Sequence, residues 1–469
     1  MSVLGMILAA ALARPASAAA AAAEPAVQNV LLIVVDALRQ DRLSAYGNPR
    51  GTSPALDALA RDGALFTNAE AASNWTLPAL ASIMTSLDPS VHGALRPPRG
   101  RPGWALALEK GRFKAVPGGK LDSSRPTLAG TLAGAGWTTA GIVSGGFCQS
   151  AFGFGSGFQS YRDTGVKLEE LNDRYILPWI REHRREKFFL YIHAGDVHDP
   201  YNTTPHFNRL WDPEYAGTID GSRATLDDVN EGRRPLPERD LRHLLALYDG
   251  GISYTDAQIT RILDELRSLG LDRRTLVVVT ADHGESFREH GAVMQHGRSA
   301  YESELRVPLI MKVPGRRAGV RISAVTSALD IAPTILDALG VPPPPGFQGR
   351  SALARLDGGP GDGAPEAPAF SRPGGLYAPA AAFAVREGAW KLIRTGGAAR
   401  AELYDLASDP KESLDLAAKR PEIAARLSRD LDDRIARDAA AASALPPLPL
   451  ETPVGPALDA ELRSAGYIR

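Results

Sequence analysis

Two acidic residues in this chain each follow a run of apolar ones. Asp36 ends "NVLLIVVD" (29–36), and Asp282, with His283 beside it, ends "TLVVVTADH" (275–283). A lone aspartate at the exit of a strand is ordinarily a turn or cap residue. A carboxylate and an imidazole on adjacent residues, ahead of the flexible Gly284, can instead turn toward one divalent cation. A third stretch, "SNWTLPALASIMTSLDPSVHG" (73–93), sets Thr76 where a helix should begin. Threonine is a good helix cap, and a helix N-terminus also favours negative charge. Asp36, Thr76, Asp282 and His283 together offer two carboxylates, a hydroxyl and an imidazole. That is a four-ligand set for one divalent metal ion (Ca, Mn, Mg or Zn). The reaction that needs such a set is substitution at a tetrahedral oxyacid ester, with the metal activating the Thr76 hydroxyl as nucleophile and polarising the ester.

Imidazoles nearby could protonate the leaving oxygen or hold non-bridging oxygens. His198 and His296 are the candidates for that role, and His193, His290 and Arg298 stand behind them as substrate contacts. A single histidine is more often an ordinary surface or packed residue. Yet five of the nine histidines fall within 193–198 and 283–296, and that clustering argues against chance. Cys148 is the only cysteine, so no intramolecular disulfide forms, and with no charged neighbour in sequence it reads as a buried structural thiol. Asn74 and Asn202 match the glycosylation acceptor pattern, which is common by chance.

The elements that must position these groups alternate. "QNVLLIVVDAL" (28–38) reads as a buried strand, and "SPALDALARDGA" (53–64) as a helix with Ser53 as its cap before Pro54. Helical "RPTLAGTLAGAG" precedes strand-like "WTTAGIVS" (137–144), and helical "KLEELNDRYILPWIREH" precedes "KFFLYIHAGDVH" (187–198). A long helix over 238–269 leads into "RTLVVVTADHGES" (274–286). The alternation predicts an α/β fold with a largely parallel sheet flanked by helices. Ligands of such sheets sit beyond the carboxyl ends of the strands. Three strand ends here carry polar groups: Asp36, the His193/Asp196/His198 group, and Asp282–His283.

The 469 residues suffice for a large domain over 27–345 and a smaller α+β subdomain over 370–440, with an extended tail at 441–469. Between them, "VPPPPGFQG" and "DGGPGDGAPEAPA" (357–369) read as loop. With Lys+Arg 53 against Asp+Glu 54, nothing points to nucleic acid or an anionic membrane surface. The apolar run 3–13, followed by small residues, reads as a signal peptide or disordered leader over 1–25. It is too short to span a membrane, and no other stretch reaches 18 apolar residues. The expected location is the periplasm or the outside of the cell.

These segments resemble, in order, the sulfatase branch of the alkaline phosphatase superfamily. "NVLLIVVDALRQDRLSAYGN" resembles its opening strand and metal loop, "NWTLPALASIMTSLDPSVHG" its nucleophile helix, and "HAGDVHDPY" its histidine-bearing substrate loop. "VVVTADHGESFREHG", "HGRSAYESELRVPLIMKVPG" and "ELYDLASDPKES" continue the match into a small C-terminal subdomain. The departures bear on the reaction. Sulfatases carry Cys or Ser in a C-x-P-S-R signature, matured to formylglycine, and here it reads "TLPAL", with Thr76 for the nucleophile and Leu80 for the arginine. Ala37 stands where a second aspartate is usual, and His296 aligns with a lysine that contacts sulfate. Asp36, Thr76, Asp282 and His283 are similar to the threonine-nucleophile sites of lipoteichoic acid synthases, phosphoethanolamine transferases and nucleotide pyrophosphatase/phosphodiesterases. The resemblance implies a metal-dependent hydrolase of a sulfate or phosphate ester of a small molecule, glycan or lipid headgroup, with chemistry tilting toward phosphate. The alternatives are a phosphoglycerol- or phosphoethanolamine-type transferase, and a binder of anionic glycans without turnover.

Overall fold

The computed structural model describes residues 27–95, 108–109, 112–114, 119–291, 294–357, 367–374, 382–396, 400–447 and 453–454. The expected leader, most of the tail beyond 447 and most of the 357–369 loop lie outside the described residues.

Nine strands form the central sheet: β1 (Asn29–Val35), β2 (Ala64–Glu70), β3 (Thr138–Val143), β4 (Ser160–Asp163), β5 (Phe188–Ala194), β6 (Thr275–Ala281), β7 (Arg306–Lys312), β8 (Val320–Ile322) and β9 (Thr326–Ser327). Their order is β8-β2-β7-β6-β1-β5-β3-β4, with β9 also on β2. All neighbours pair in parallel except β7, which runs antiparallel to both β6 and β2. Strands β1, β5 and β6 are buried along their whole length, which is why they read as unbroken apolar runs rather than alternating ones. With β1 held between β5 and β6, the register sets Val34 opposite His193 and Val35 opposite Ala281. The next residues, Asp36 and Asp282, therefore leave the sheet side by side.

Helix α1 (Pro54–Asp62) and α2 (Thr76–Thr85) follow β1 and β2, and α3 (Glu238–Ser268) is the long predicted helix. Two local expectations change. Ser53 makes no side-chain cap to α1; Asp256, from α3, accepts from the N–H groups of Ala55 and Leu56 at 2.9 Å each. The helical stretch at 167–183 is broken by a π-turn over Asn172–Ile176, just before Pro178, whose missing N–H cannot join the regular ladder.

The small antiparallel sheet comprises β10 (Ala369–Ser371), β11 (Ala382–Glu387), β12 (Trp390–Thr395) and β13 (Arg400–Asp405), covered by α4 (Pro421–Ser443). Its core joins Val385, Leu392 and Leu403 to Leu427 and Leu431 of the helix. Buried ion pairs fasten it to the large sheet. Arg386 pairs with Glu70 and, at 3.0 Å, with Glu302; Lys391 meets Glu302 at 2.7 Å and Glu412 at 2.9 Å.

Candidate active site

The end of β1 turns sharply. Ala37, directly after Asp36, has φ 58, a left-handed conformation that is strained for a residue with a Cβ. Its N–H donates to Asp282 Oδ1 at 3.3 Å, and its carbonyl accepts from the Tyr248 hydroxyl at 2.6 Å. The same hydroxyl accepts from the Arg39 N–H at 2.8 Å, so α3 pins this turn from outside.

At the end of β6, Asp282 Oδ1 also accepts from the His283 N–H at 3.0 Å. Gly284 is required here by close approach rather than by flexibility. Its N–H donates to Glu304 O at 2.8 Å, and a Cβ would lie 2.1 Å from the carbonyl oxygen of Ser303. The Gly284 carbonyl takes a hydrogen bond from His283 Nδ1 at 2.8 Å. A carbonyl only accepts, so Nδ1 carries a proton and Nε2 is the nitrogen turned inward. That Nε2 lies 3.3 Å from Thr76 Oγ1, 3.3 Å from Asp36 Oδ1 and 3.7 Å from Asp282 Oδ2.

Thr76 is buried and is the first residue of α2, not its cap. Trp75 occupies the N-cap position, and its side chain makes no capping bond. The loop before it is held from the C-terminal side of the chain. Ser73 Oγ donates to Arg372 O, Trp75 Nε1 to Gly374 O, and the Gly374 N–H to Asn74 Oδ1, at 2.9, 3.1 and 3.0 Å. Asn74 is itself buried, its Nδ2 donating to Glu304 Oε2 at 2.9 Å.

Among the described residues, one oxygen each of Asp36 and Asp282 and a ring nitrogen of His193 lie within 4.8 Å of one another. All three side chains are fully buried. Asp282 Oδ2 has no hydrogen-bond partner among the described residues. Two carboxylates driven together out of water need compensating positive charge. Neighbouring histidines answer that demand. Burial opposes a proton on His283, yet Asp282 and Asp36 outweigh it and raise the imidazole to about 9. Burial likewise opposes charge on His198, and Asp36 and Asp199 raise it to about 10. Burial would push the Asp36 carboxyl up, but His198, His283 and His193 hold it well below the usual carboxylate range. A divalent cation suits the same pocket, since the donors are carboxylate oxygens, imidazole nitrogens and a hydroxyl.

The other predicted residues divide. His198 and His296 join the cluster: the ring of His296 lies 4.3 Å from that of His283 and 4.9 Å from that of His198, between centroids. His198 Nδ1 is held by Asp199, at 2.7 Å from its carbonyl and 2.9 Å from Oδ1. His296 Nδ1 faces the buried Glu285 at 3.3 Å. His290 is not brought in. It sits at a left-handed kink (φ 54), exposed, with its ring stacked 3.6 Å from that of Tyr301. Arg298 is exposed; its N–H donates to Glu304 Oε2 and its guanidinium to Gln295. Asp196 serves structure: its Oδ2 accepts from the Leu168 N–H at 3.0 Å, and burial raises its carboxyl to about 6. Cys148 is buried, its thiol donating to Gly145 O at 2.8 Å.

Four contributors escaped the sequence reading. Asp199 orients His198 and is gripped by Arg223 at 2.7 and 2.8 Å. Glu285 follows His283 by two residues, which was the available signal for it. Burial, then the charge of Asp199, raises its carboxyl to about 8. Glu304 accepts from Asn74, Ser286, Ser299 and the Arg298 N–H, joining the loop ahead of Thr76 to the loop that carries His296.

The sulfatase family model matches residues 28–341, and a model described as N-sulphoglucosamine sulphohydrolase, C-terminal, matches 289–439. Arylsulfatase K of Mus musculus is 34% identical over 203 residues, which cover 41% of this chain and 36% of that protein. The alignment thus spans about a third of the mouse protein's length. Arylsulfatase K of Bos taurus is 26% identical over 480 residues, covering 91% of this chain and 86% of that one. Two solved structures share the fold. A phosphonate monoester hydrolase of Agrobacterium radiobacter has a TM-score of 0.67 at 21% identity, covering 88% of this chain and 96% of its own. A 2-O GAG sulfatase has a TM-score of 0.69 at 22% identity, covering 90% and 94%.

Proposed function

The chain belongs to the sulfatase family, and on that premise we propose that it hydrolyses a sulfate or phosphate ester with Thr76 as nucleophile. The substrate is the ester of a small molecule, glycan or lipid headgroup. One observation carries this reading. Thr76 Oγ1 is buried at the start of a helix without a side-chain cap, 3.3 Å from the inward-turned ring nitrogen of His283. Asp36, Asp282, His283 and Thr76 would hold a divalent cation, which when bound supplies Lewis-acid polarisation of the ester and a more acidic hydroxyl.

The chain's own groups supply the rest. Thr76 loses its hydroxyl proton to solvent and attacks sulfur or phosphorus, at the N-terminus of α2, where the N–H groups of Thr76 and Leu77 favour the charge that develops on the ester oxygens. His198, its Nδ1 proton engaged by Asp199, delivers a proton from Nε2 to the leaving oxygen. Burial above all holds His296 well below its usual range and so neutral. Glu285, protonated at neutral pH, donates to His296 Nδ1 and leaves Nε2–H as the donor to a non-bridging oxygen. Water then discharges the threonine ester. A phosphothreonine is open to that attack. A sulfothreonine lacks the elimination route of a formylglycine hydrate, so phosphate esters are the favoured substrates.

The test is a panel of aryl phosphodiesters, phosphate and phosphonate monoesters, and aryl sulfates, assayed with Zn, Mn, Ca or Mg supplied separately. Turnover of one ester class is expected, with Thr76→Ala lowering kcat by at least about 10³-fold. Turnover of none of them, or full activity in Thr76→Ala, overturns the proposal.

A further inference from the structure

We propose that His193 is a direct ligand of the cation in this site, and that the nitrogen it adds makes the site one for a transition-metal dication such as Zn²⁺ or Mn²⁺ rather than Ca²⁺ or Mg²⁺. The proposal rests on the metal-centre reading above and deepens it, assigning a ligand and an ion class. Sequence position groups His193 with the substrate loop, but its surroundings differ from those of a substrate contact. It lies within β5, opposite Val34 of β1, and is fully buried. Its Nε2 lies 3.7 Å from Asp282 Oδ2 and 3.9 Å from Asp36 Oδ2. Among the described residues, neither Nε2 of His193 nor Oδ2 of Asp282 has a hydrogen-bond partner within 3.5 Å. Two buried polar atoms thus face each other across a gap too wide for a hydrogen bond. An ion between them satisfies both, because each offers a lone pair.

The donor set decides which ion. Ca²⁺ takes six to eight oxygens, and Mg²⁺ a near-ideal octahedron built mostly of oxygens and water. Here the side chain following Asp36 is the methyl of Ala37, which donates nothing. The inward nitrogens of His193 and His283 take up sides of the site instead, with Asp36 and Asp282 supplying the oxygens. Two imidazoles and two carboxylates suit Zn²⁺ or Mn²⁺.

The experiment uses the full chain stripped of metal and titrated with Co²⁺, Zn²⁺ and Ca²⁺, reading Co²⁺ absorption bands and metal affinity rather than turnover. Zn²⁺ and Co²⁺ are expected to bind, with Ca²⁺ failing to displace them. His193→Ala should weaken binding by more than about 100-fold, beyond the 10–100-fold cost of an outer-shell partner. X-ray absorption on the unmutated Zn²⁺ protein gives a check independent of how the variant folds, and two coordinated imidazoles are expected. One imidazole only, Ca²⁺ in preference, or unchanged affinity in His193→Ala overturns the proposal while leaving the metal centre standing. Binding of no metal at all overturns both. Metal bound as expected without cleavage of any ester supports the proposal and sinks the hydrolase reading alone.

Discussion

Lys391→Met tests how the small sheet is held to the large one. Lys391 is buried, with Nζ 2.7 Å from Glu302 and 2.9 Å from Glu412. Without it, Glu70, Glu302 and Glu412 are left with Arg386 as their buried cation and Arg306 at 4.0 Å on the edge. Breaking a buried pair by removing one partner costs about 3–5 kcal/mol, because the remaining charge is stranded. The loss has a built-in pH dependence. Burial, together with Glu302, already raises the Glu412 carboxyl to about 7, against the opposing pull of Lys391. A carboxyl whose folded pKa lies above its unfolded value binds its proton more tightly in the folded chain, so folding gains stability as pH falls through the folded pKa. Removing Lys391 raises that pKa further, and each added unit is worth about 1.4 kcal/mol. The cost of the substitution should therefore be roughly 2 kcal/mol smaller at about pH 6 than at about pH 8.5. Urea unfolding of both proteins at the two pH values measures it. A cost below about 1 kcal/mol at the higher pH, or one that grows on acidification, would refute the stranded-charge argument.

Two further substitutions probe the groups that hold the site. Asp199→Asn keeps the shape of its side chain but removes a negative charge that raises His198, so the alkaline limb of the pH–rate profile, where the acid loses its proton, should move to lower pH. A profile that keeps its limb while only stability changes would make Asp199 purely structural. Glu304→Gln replaces an acceptor of several donors with a group that is half donor, and should cost about 1–3 kcal/mol by thermal unfolding. It should also lower kcat more than it raises KM, since it loosens the Asn74 loop ahead of Thr76; an unchanged kcat argues against that coupling.

The strands and the polar groups at their ends were legible in the sequence for one physical reason. A strand buried on both faces must be an unbroken apolar run, so the first polar residue after it announces the edge of the sheet, as Asp36 and Asp282 do. Depth and partnership were not legible, because they depend on segments far apart in the chain. Ser53 had the composition of a cap, yet Asp256, some 200 residues later, does the capping. Thr76 looked like a cap and is instead the first helical residue, because backbone groups of 372–374 hold the loop ahead of it. His193 and His198 are five residues apart and read as one polar group at a strand end, His198 as the acid candidate and His193 as a substrate contact behind it. The parallel register places His193 inside the sheet, opposite Val34, whereas His198 lies in the loop beyond, where Asp199 turns it. Sequence pattern assigns chemistry to the segment, and strand register decides which of its histidines stands beside the carboxylates and which lies in the loop beyond. The departure at Ala37 shows the same division. Its missing carboxylate is visible in the sequence, but only the register of β1 with β5 shows that an imidazole from the neighbouring strand stands beside the carboxylates of Asp36 and Asp282.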